Sequence, residues 1–559
     1  MIKILLLQIG FVAFFGIVVS IFANLFVLGL TTAEIFREES LFNFPFFGVE
    51  INPIPIGFLI IAFWVVRAIR RVSNIKRWDN PSDIIFFAHN RYIKFPARQS
   101  FLAIIASFIS LSGGASLGQY GPIVHMGGSF GCFLSNWLRG LNLGRDILIG
   151  CGVAAAISAG FNSPIAGIVF AHEAVLRHFS SRALALISVS SLASTALGRY
   201  LFVSESLFSL QLDFVVSSEF IFLSLCAGLI FGISAIGFIH LFFVINKFAN
   251  NSPKNSRYFT IFGFIFLMLV SQAYPDALGL GMGVVNDALN AVQPLNVLFM
   301  MLLIKLVAVL VSINIGFSGG FFGPALFIGA MIGGIIGHSF SFLDFPFLTT
   351  MFVVSGAASV AGTIFGAPLA MVILVLELTG SYDLALSAML SIIISSLICR
   401  LFFAHSFFDL QLLKRKIDIA KGRAFLELET IKVGSIVSSE FLAFEEQECC
   451  QFILEKMKEN SFTECYCIDS ENKFVGKISI FDVIQNPEMS ASQIADKNCT
   501  KLLNTQSIND AIEVAKSFIG EGIPVIEADS RKLLGTISEA DLFNQHSDEI
   551  HQTRKIEAS

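Results

Sequence analysis

Apolar runs of uneven length fill the first 405 residues. Ile4 to Leu30 is longer than the core of a signal peptide and without a small-residue cleavage site leading into a polar domain. It reads as a retained membrane helix. Pro53 to Val66 is a second run, closed by Arg67, Arg70, Arg71, Lys76 and Arg77. Then come Phe101 to Leu111, Ile147 to Gly160, Phe220 to Phe248, Val297 to Ile315, Thr349 to Thr363 and Leu384 to Phe403. A full span needs about 20 residues, so some of these are too short to cross, and Gly and Pro interrupt them. Broken helices at membrane depth persist only where their ends are buried in protein or line a watery cavity, so the pattern points to transport. The Arg67–Arg77 cluster and Lys414-Arg415-Lys416 place those ends, together with the polar region beyond Lys416, on the cytoplasmic side.

After Ala424 the period changes. Short β-like runs (Glu464 to Asp469, Phe474 to Ser479, Ile523 to Ile526, Leu533 to Ser538) alternate with amphipathic helices predicted over Glu448 to Lys458 and Ser507 to Phe518. Composition agrees with two solvents. The 559 residues are 55% hydrophobic and 14% charged, well below the charged fraction of about 25% usual in soluble proteins, and roughly half of the charges lie beyond Lys416. The net charge of −5 comes without a long single-sign block, so no nucleic-acid partner is expected. The nine cysteines are scattered, which is not a disulfide framework. Cys465-Tyr-Cys467 has no second pair at ligand spacing, so no metal site is expected.

The membrane part contains a duplication. Gly152 to Glu173 aligns without gaps on Gly356 to Glu377, matching Phe161 with Phe365, Pro164 with Pro368 and Ala166 with Ala370; upstream, Gly121-Pro122 matches Gly323-Pro324. Such repeats put the substrate at the interface of the halves. Spacing alone leaves their relative orientation open.

A glycine-rich segment precedes each copy: Ser112-Gly-Gly-Ala-Ser-Leu-Gly118-Gln119-Tyr120-Gly121-Pro122 and Gly316-Phe-Ser-Gly319-Gly320-Phe321-Phe322-Gly323-Pro324. Glycine lets the backbone bend, and proline favours the first helical turn. Each segment therefore aims unpaired N–H groups and a positive helix end into the interior, an anion site that needs no cation. Partial charges can replace the water around a halide and still release it. A cation path would instead need intramembrane carboxylates. Only Glu173 and Glu377 lie deep in apolar runs, and they read as packing or capping residues.

The order of these motifs, from Gly118 to Pro122 through Gly316 to Pro324 and the paired Pro segments to Ser406-Phe-Phe-Asp-Leu, resembles the CLC family of chloride channels and chloride/proton exchangers over about residues 1–416. The resemblance implies an all-α polytopic fold of two inverted repeats of tilted, broken helices, in a homodimer with one anion pathway per subunit. It assigns the central anion to the backbone amides of Phe321 and Phe322, with Gly319, Gly320 and Gly121 alongside. Tyr120 stands where the family has its external gating glutamate, and Phe408 where it usually has an anion-contacting tyrosine. Asn80-Pro81-Ser82 is the counterpart of an early Gly-Ser-Gly-Ile-Pro motif that is not present as such. The internal proton glutamate of exchangers is replaced by Ala174. A phenol with a reference pKa near 10 is a poor proton carrier at neutral pH, so both proton stations are absent; His125 and His172 read as packing residues.

The polar region closes two units with one phrase, Gly476-Lys-Ile-Ser479-Ile-Phe-Asp482 and Gly535-Thr-Ile-Ser538-Glu-Ala-Asp541. This resembles a tandem CBS pair, an α+β module that some CLC proteins carry in the cytoplasm. The resemblance makes Ser479, Asp482, Ser538 and Asp541 candidates for an adenine nucleotide; the same residue types also favour helix N-caps. The implied layout is a membrane domain at 1–416 (repeats at about 85–200 and 290–405), a linker at 417–430, CBS units at 431–490 and 491–550, and a polar tail at 551–559. The expected function is passive chloride conduction in a lipid bilayer, not catalysis, with no cofactor required. The alternatives are a chloride/proton exchanger using another acid, or a membrane-embedded sensor sealed by Tyr120.

Overall fold

The structure is a computed structural model describing residues 2–38, 44–46, 49–137, 141–202, 218–340 and 347–558. Its contacts divide it into two units, one of residues up to 88 with 95–417, the other of 89–94 with 418–558.

The first unit is helical. It comprises α1 (Ile2–Glu38), a small hairpin of β1 (Phe44–Phe46) and β2 (Val49–Ile51), α2 (Pro53–Val72), α3 (Pro81–His89), α4 (Ala97–Ser112), α5 (Tyr120–Ser135) and α6 (Arg145–Phe161). Then follow α7 (Pro164–Phe170), which runs into a π-helical turn (Ala171–Leu176), α8 (Ser181–Leu201), α9 (Ser218–Asn250), α10 (Pro253–Ala273) and α11 (Met282–Leu289). α12 (Leu295–Asn314), α13 (Phe322–Ser339), α14 (Leu348–Phe365), α15 (Pro368–Thr379), α16 (Tyr382–Phe403) and α17 (Phe407–Leu413) complete it. Among the described residues nine helices are long and apolar enough to cross a membrane. The short ones, α3, α7, α11 and α17, start or stop inside the unit, as the interrupted apolar runs required.

The duplication is visible in the packing. α5 lies against α6 and α13 against α14, and both pairs touch through glycines: a Cβ on Gly127 would sit 2.1 Å from the Gly152 carbonyl oxygen, and one on Gly329 the same distance from that of Gly356. Without a hydrophobic drive between helices in lipid, close approach at small residues supplies the contact energy. Between the halves the bonds are reciprocal. The Glu173 carboxylate accepts from the N–H groups of Leu369 and Ala370 at 3.1 and 2.8 Å, and that of Glu377 from Ile165 and Ala166, both at 2.9 Å. Each acid stands at the same offset from its own Pro164 or Pro368. Gly118 and Gly320, equivalent in the two copies, exchange N–H···O bonds of 2.7 and 2.8 Å as an antiparallel bridge. Such exchange is what a two-fold relation between the two copies produces.

The second unit continues with α18 (Arg423–Thr430), β3 (Ala443–Glu445), α19 (Cys450–Asn460), β4 (Glu464–Ile468), β5 (Phe474–Ser479), α20 (Ile480–Gln485) and α21 (Ala491–Ile494). After these come β6 (Leu502–Leu503), α22 (Ile508–Ala515), β7 (Ile523–Ile526), β8 (Leu533–Ile537) and α23 (Glu539–Ala558). Each half has a three-stranded sheet with one parallel and one antiparallel pair over its own apolar core, Ile453, Met457 and Ile478 in one and Ile508, Val525 and Ile537 in the other. The halves join reciprocally, Phe474 N–H to Arg531 O and Leu533 N–H to Asn472 O. This α+β pattern is consistent with a CBS pair. Residues 417–430, expected as a linker, contain α18, which buries Leu426 and Leu428, and the polar residues 551–558 continue α23. Segment 89–94 is held in this unit: Arg91 Nη2 lies 2.5 Å from Glu549 Oε2, the Tyr92 hydroxyl donates to Glu549 Oε1 at 2.5 Å, and Glu427 accepts from the Arg91 N–H at 3.3 Å.

Candidate functional site

A cavity of about 360 Å³ lies inside the membrane unit, lined by Arg70 and Lys76, the Trp78–Pro81 stretch, Tyr120, Gly121, Gly319 to Phe322, Phe365 and Phe408. Two helix N-termini reach it, because the Gly118–Gly320 bridge ties together the segments that lead into α5 and α13. A helix leaves its first N–H groups without carbonyl partners, and Pro122 and Pro324 have none to begin with. The N–H groups of Tyr120 and Gly121 in α5 and of Phe321 and Phe322 at α13 are therefore available to an anion, with both helix dipoles behind them. Glycine is required at the crossing, since a Cβ on Gly121 would meet the Gly320 Cα at 2.7 Å.

Aromatic rings form the walls. The Tyr120 ring stacks on Phe161 at 3.7 Å between centroids and meets Phe322 edge-on at 5.7 Å. Phe322 continues to Phe365 at 5.1 Å and Phe365 to Phe408 at 5.0 Å. Tyr120 is 4% exposed, so its phenol is packed in a ring cluster and does not project freely into the cavity.

Two of the short helices, α17 and α3, also border the cavity, through Phe408 and through Asn80 and Pro81. α17 is capped by its own residues, Ser406 and Asp409 each bonding the other's backbone, so Phe408 presents a ring. At α3, Asp83 accepts from the Asn80 N–H at 3.0 Å and is paired with Arg77 and Arg415. Asn80 and Pro81 line the cavity, but Ser82 does not; its hydroxyl donates to Asn80 Oδ1 at 2.6 Å. The one carboxylate on the cavity wall, Asp79, is engaged by Gln99 at 2.6 Å and Ser100 at 2.8 Å. Ala174 is buried in the π-helical turn away from the cavity, and neighbouring Glu173 caps α15.

Several lining residues were missed: Asn246 and Asn314, hydrogen-bonded to each other at 3.0 Å, with Asn250 and Gln411. Asn246 and Asn314 stand inside otherwise apolar runs, which was the signal available. Trp78 Nε1 donates to the Gly316 carbonyl at 3.1 Å, closing the wall near Arg70. The fully buried Lys305 is not on the cavity; its Nζ donates to Gly279 O at 2.8 Å and lies 4.9 Å from the Phe327 ring centroid.

In the second unit, Ser479 Oγ accepts from Phe481 N–H at 3.3 Å, and Ser538 and Asp541 bond each other at the start of α23. These residues occupy helix-capping positions. Among the described residues no cluster of three or more His, Cys, Asp or Glu could hold a metal.

Residues 57–400 match the family described as voltage gated chloride channel. An H(+)/Cl(-) exchange transporter ClcA of Vibrio campbellii is 26% identical over 325 residues, 56% of this chain and 69% of that protein. A voltage-gated ClC-type chloride channel ClcB of Escherichia coli is 26% identical over 311 residues, 55% of this chain and 74% of its own length. The crystal structure of a eukaryotic CLC transporter superposes with a TM-score of 0.63 at 16% identity, covering 96% of this chain and 98% of that one.

Proposed function

The chain belongs to the voltage gated chloride channel family, an integral membrane family of chloride transport, and from that premise we propose that it conducts chloride passively, without moving protons. Its similar relatives include both an exchanger and a channel, so family membership alone does not choose between the two. The choice rests on one observation: the residue stacked against the cavity at the start of α5 is Tyr120, and no free carboxylate stands among the residues lining the cavity. A proton carrier in the pathway needs a group that titrates near neutral pH, and a phenol does not. Ala174 supplies no second acid. Reconstituted protein should release chloride down its gradient, and an imposed pH gradient alone should drive no net chloride uptake; stoichiometric proton movement would overturn the reading.

The working assembly is a homodimer with the Arg67–Arg77 side and the polar unit in the cytoplasm. Support for the dimer comes from α7 and α15, whose exposed faces carry Ile165 and Leu369 beside the Glu173 and Glu377 caps. Partly exposed carboxylates at membrane depth are costly against lipid, and a second copy would cover them. The particle mass in detergent tests this, twice the chain mass being expected. Nucleotide binding at Ser479, Asp482, Ser538 and Asp541 remains part of the proposal and requires the capping contacts of Ser479, Ser538 and Asp541 to give way to the ligand.

A further inference from the structure

A second cavity, of about 420 Å³, opens where α2 ends. Its wall carries Arg67, Arg70 and Arg71 with Asn74, backed by the rings of Phe63 and Phe317. No carboxylate lines it, and none of these three arginines has an acidic partner among the described residues. The neighbouring acids are committed elsewhere, Asp83 to Arg77 and Arg415 and Asp79 to Gln99 and Ser100. Three arginines thus line one space without an acidic partner, Arg70 donating to the carbonyls of Ile75 and Lys76.

The rest of the cleft is shaped for a lipid. α2 is a membrane span whose outer surface beside the arginines is apolar, with Trp64 62% and Val72 81% exposed. The Arg67 guanidinium lies 5.9 Å from the Phe63 ring centroid, at the boundary between the apolar and charged parts. A freely dissolved anion would use the arginines and leave that apolar flank idle; a phospholipid would use both. Guanidinium groups match phosphate oxygens bidentately, and basic pockets at the cytoplasmic ends of membrane helices suit anionic headgroups.

We propose that this cleft binds the phosphate headgroup of an anionic phospholipid from the cytoplasmic leaflet, with its acyl chains along α2. The site reaches the chloride cavity through a shared wall. Arg70, Gly316 and Phe317 line both spaces, and Arg70 holds the α2–α3 connection through bonds to Ile75 O at 3.2 Å and Lys76 O at 2.6 Å. A phosphate drawing on Arg70 therefore changes the basic end of the anion cavity, so headgroup occupancy sets the chloride rate. The sidedness rests on the orientation proposed above.

The test uses the full-length protein. Binding of short-chain phosphatidic acid, phosphatidylcholine and inorganic phosphate is compared in detergent, and chloride efflux is compared in phosphatidylcholine vesicles with and without phosphatidic acid. The wild type should bind phosphatidic acid and change its efflux rate when that lipid is present. Arg67→Gln with Arg71→Gln, which leaves Arg70 and the chloride cavity intact, should weaken lipid binding by about fivefold per arginine while keeping efflux in phosphatidylcholine alone. Equal binding of phosphatidic acid by the double variant, or no preference over phosphatidylcholine, overturns the site. Tight binding of inorganic phosphate with no gain from the lipid would mean a soluble anion and overturn the lipid assignment. Loss of efflux in every vesicle would instead contradict the transport reading and leave the binding comparison to judge the lipid site.

Discussion

Tyr120 holds its place through ring contacts with Phe161 and Phe322, so on the proposed pathway it would stand as part of the wall. Truncation in Tyr120→Ala removes the stacked ring and should raise chloride efflux from vesicles; an unchanged rate would mean the ring does not limit passage. Phe408 faces the cavity as a bare ring, and a charge-assisted hydrogen bond is worth about 1.5–3 kcal/mol. Phe408→Tyr should therefore tighten calorimetric chloride binding by about tenfold or more, and an unchanged affinity would contradict the placement of Phe408 beside the anion. The helix start at Tyr120 was legible because glycine and proline at fixed offsets mark where helices begin, whereas Phe408 was reached only through the resemblance carried by Ser406-Phe-Phe-Asp-Leu. Ser82 bonds Asn80 within its own Asn-Pro-Ser-Asp turn, and a side chain's choice between a local partner and a ligand does not show in residue type. Asn246 and Asn314 were passed over for the opposite reason, since one polar residue in a long apolar run changes its mean hydropathy little.

Among the elements, the N-termini of α7 and α15 are each closed by the other repeat's carboxylate. A cap of this kind is worth about 1 kcal/mol, more where partly buried. Glu377→Gln keeps the shape and removes the charge, and should lower the thermal midpoint of the detergent-solubilised protein, with Glu173→Gln giving a matching loss. The duplication made these two residues visible as a pair, but their crossed partnership needed the three-dimensional structure, because spacing carries no information on which repeat a side chain faces. α18 went unrecognised for another reason: it is only eight residues long and its buried face includes Glu427, a residue type that reads as solvent-exposed. Glu427 shares Arg91 with Glu549, and burial, the largest cause, pushes its carboxyl up to about 7. The folded state then holds a proton that the unfolded chain, with an ordinary carboxyl near 4.5, releases. Its contribution to stability is present in full below about 4.5 and is lost as pH rises to about 7. Thermal unfolding of the full chain should show less dependence on pH across that window in Glu427→Gln than in the wild type. Identical profiles would show that Glu427 does not hold the proton.

For the whole molecule, two solvents organise one chain, and the change of hydrophobic period after Ala424 already marks this in the sequence. The central claim is that a pathway built from two opposed helix N-termini, with a tyrosine where exchangers of the family use a glutamate, moves chloride alone. The most direct measurement is the reversal potential of the purified protein in planar bilayers under fixed chloride gradients, with the proton gradient varied independently. The account predicts a reversal potential that tracks the chloride gradient and stays put when the pH on either side is changed. A shift with the proton gradient in the proportion set by coupled exchange would contradict it.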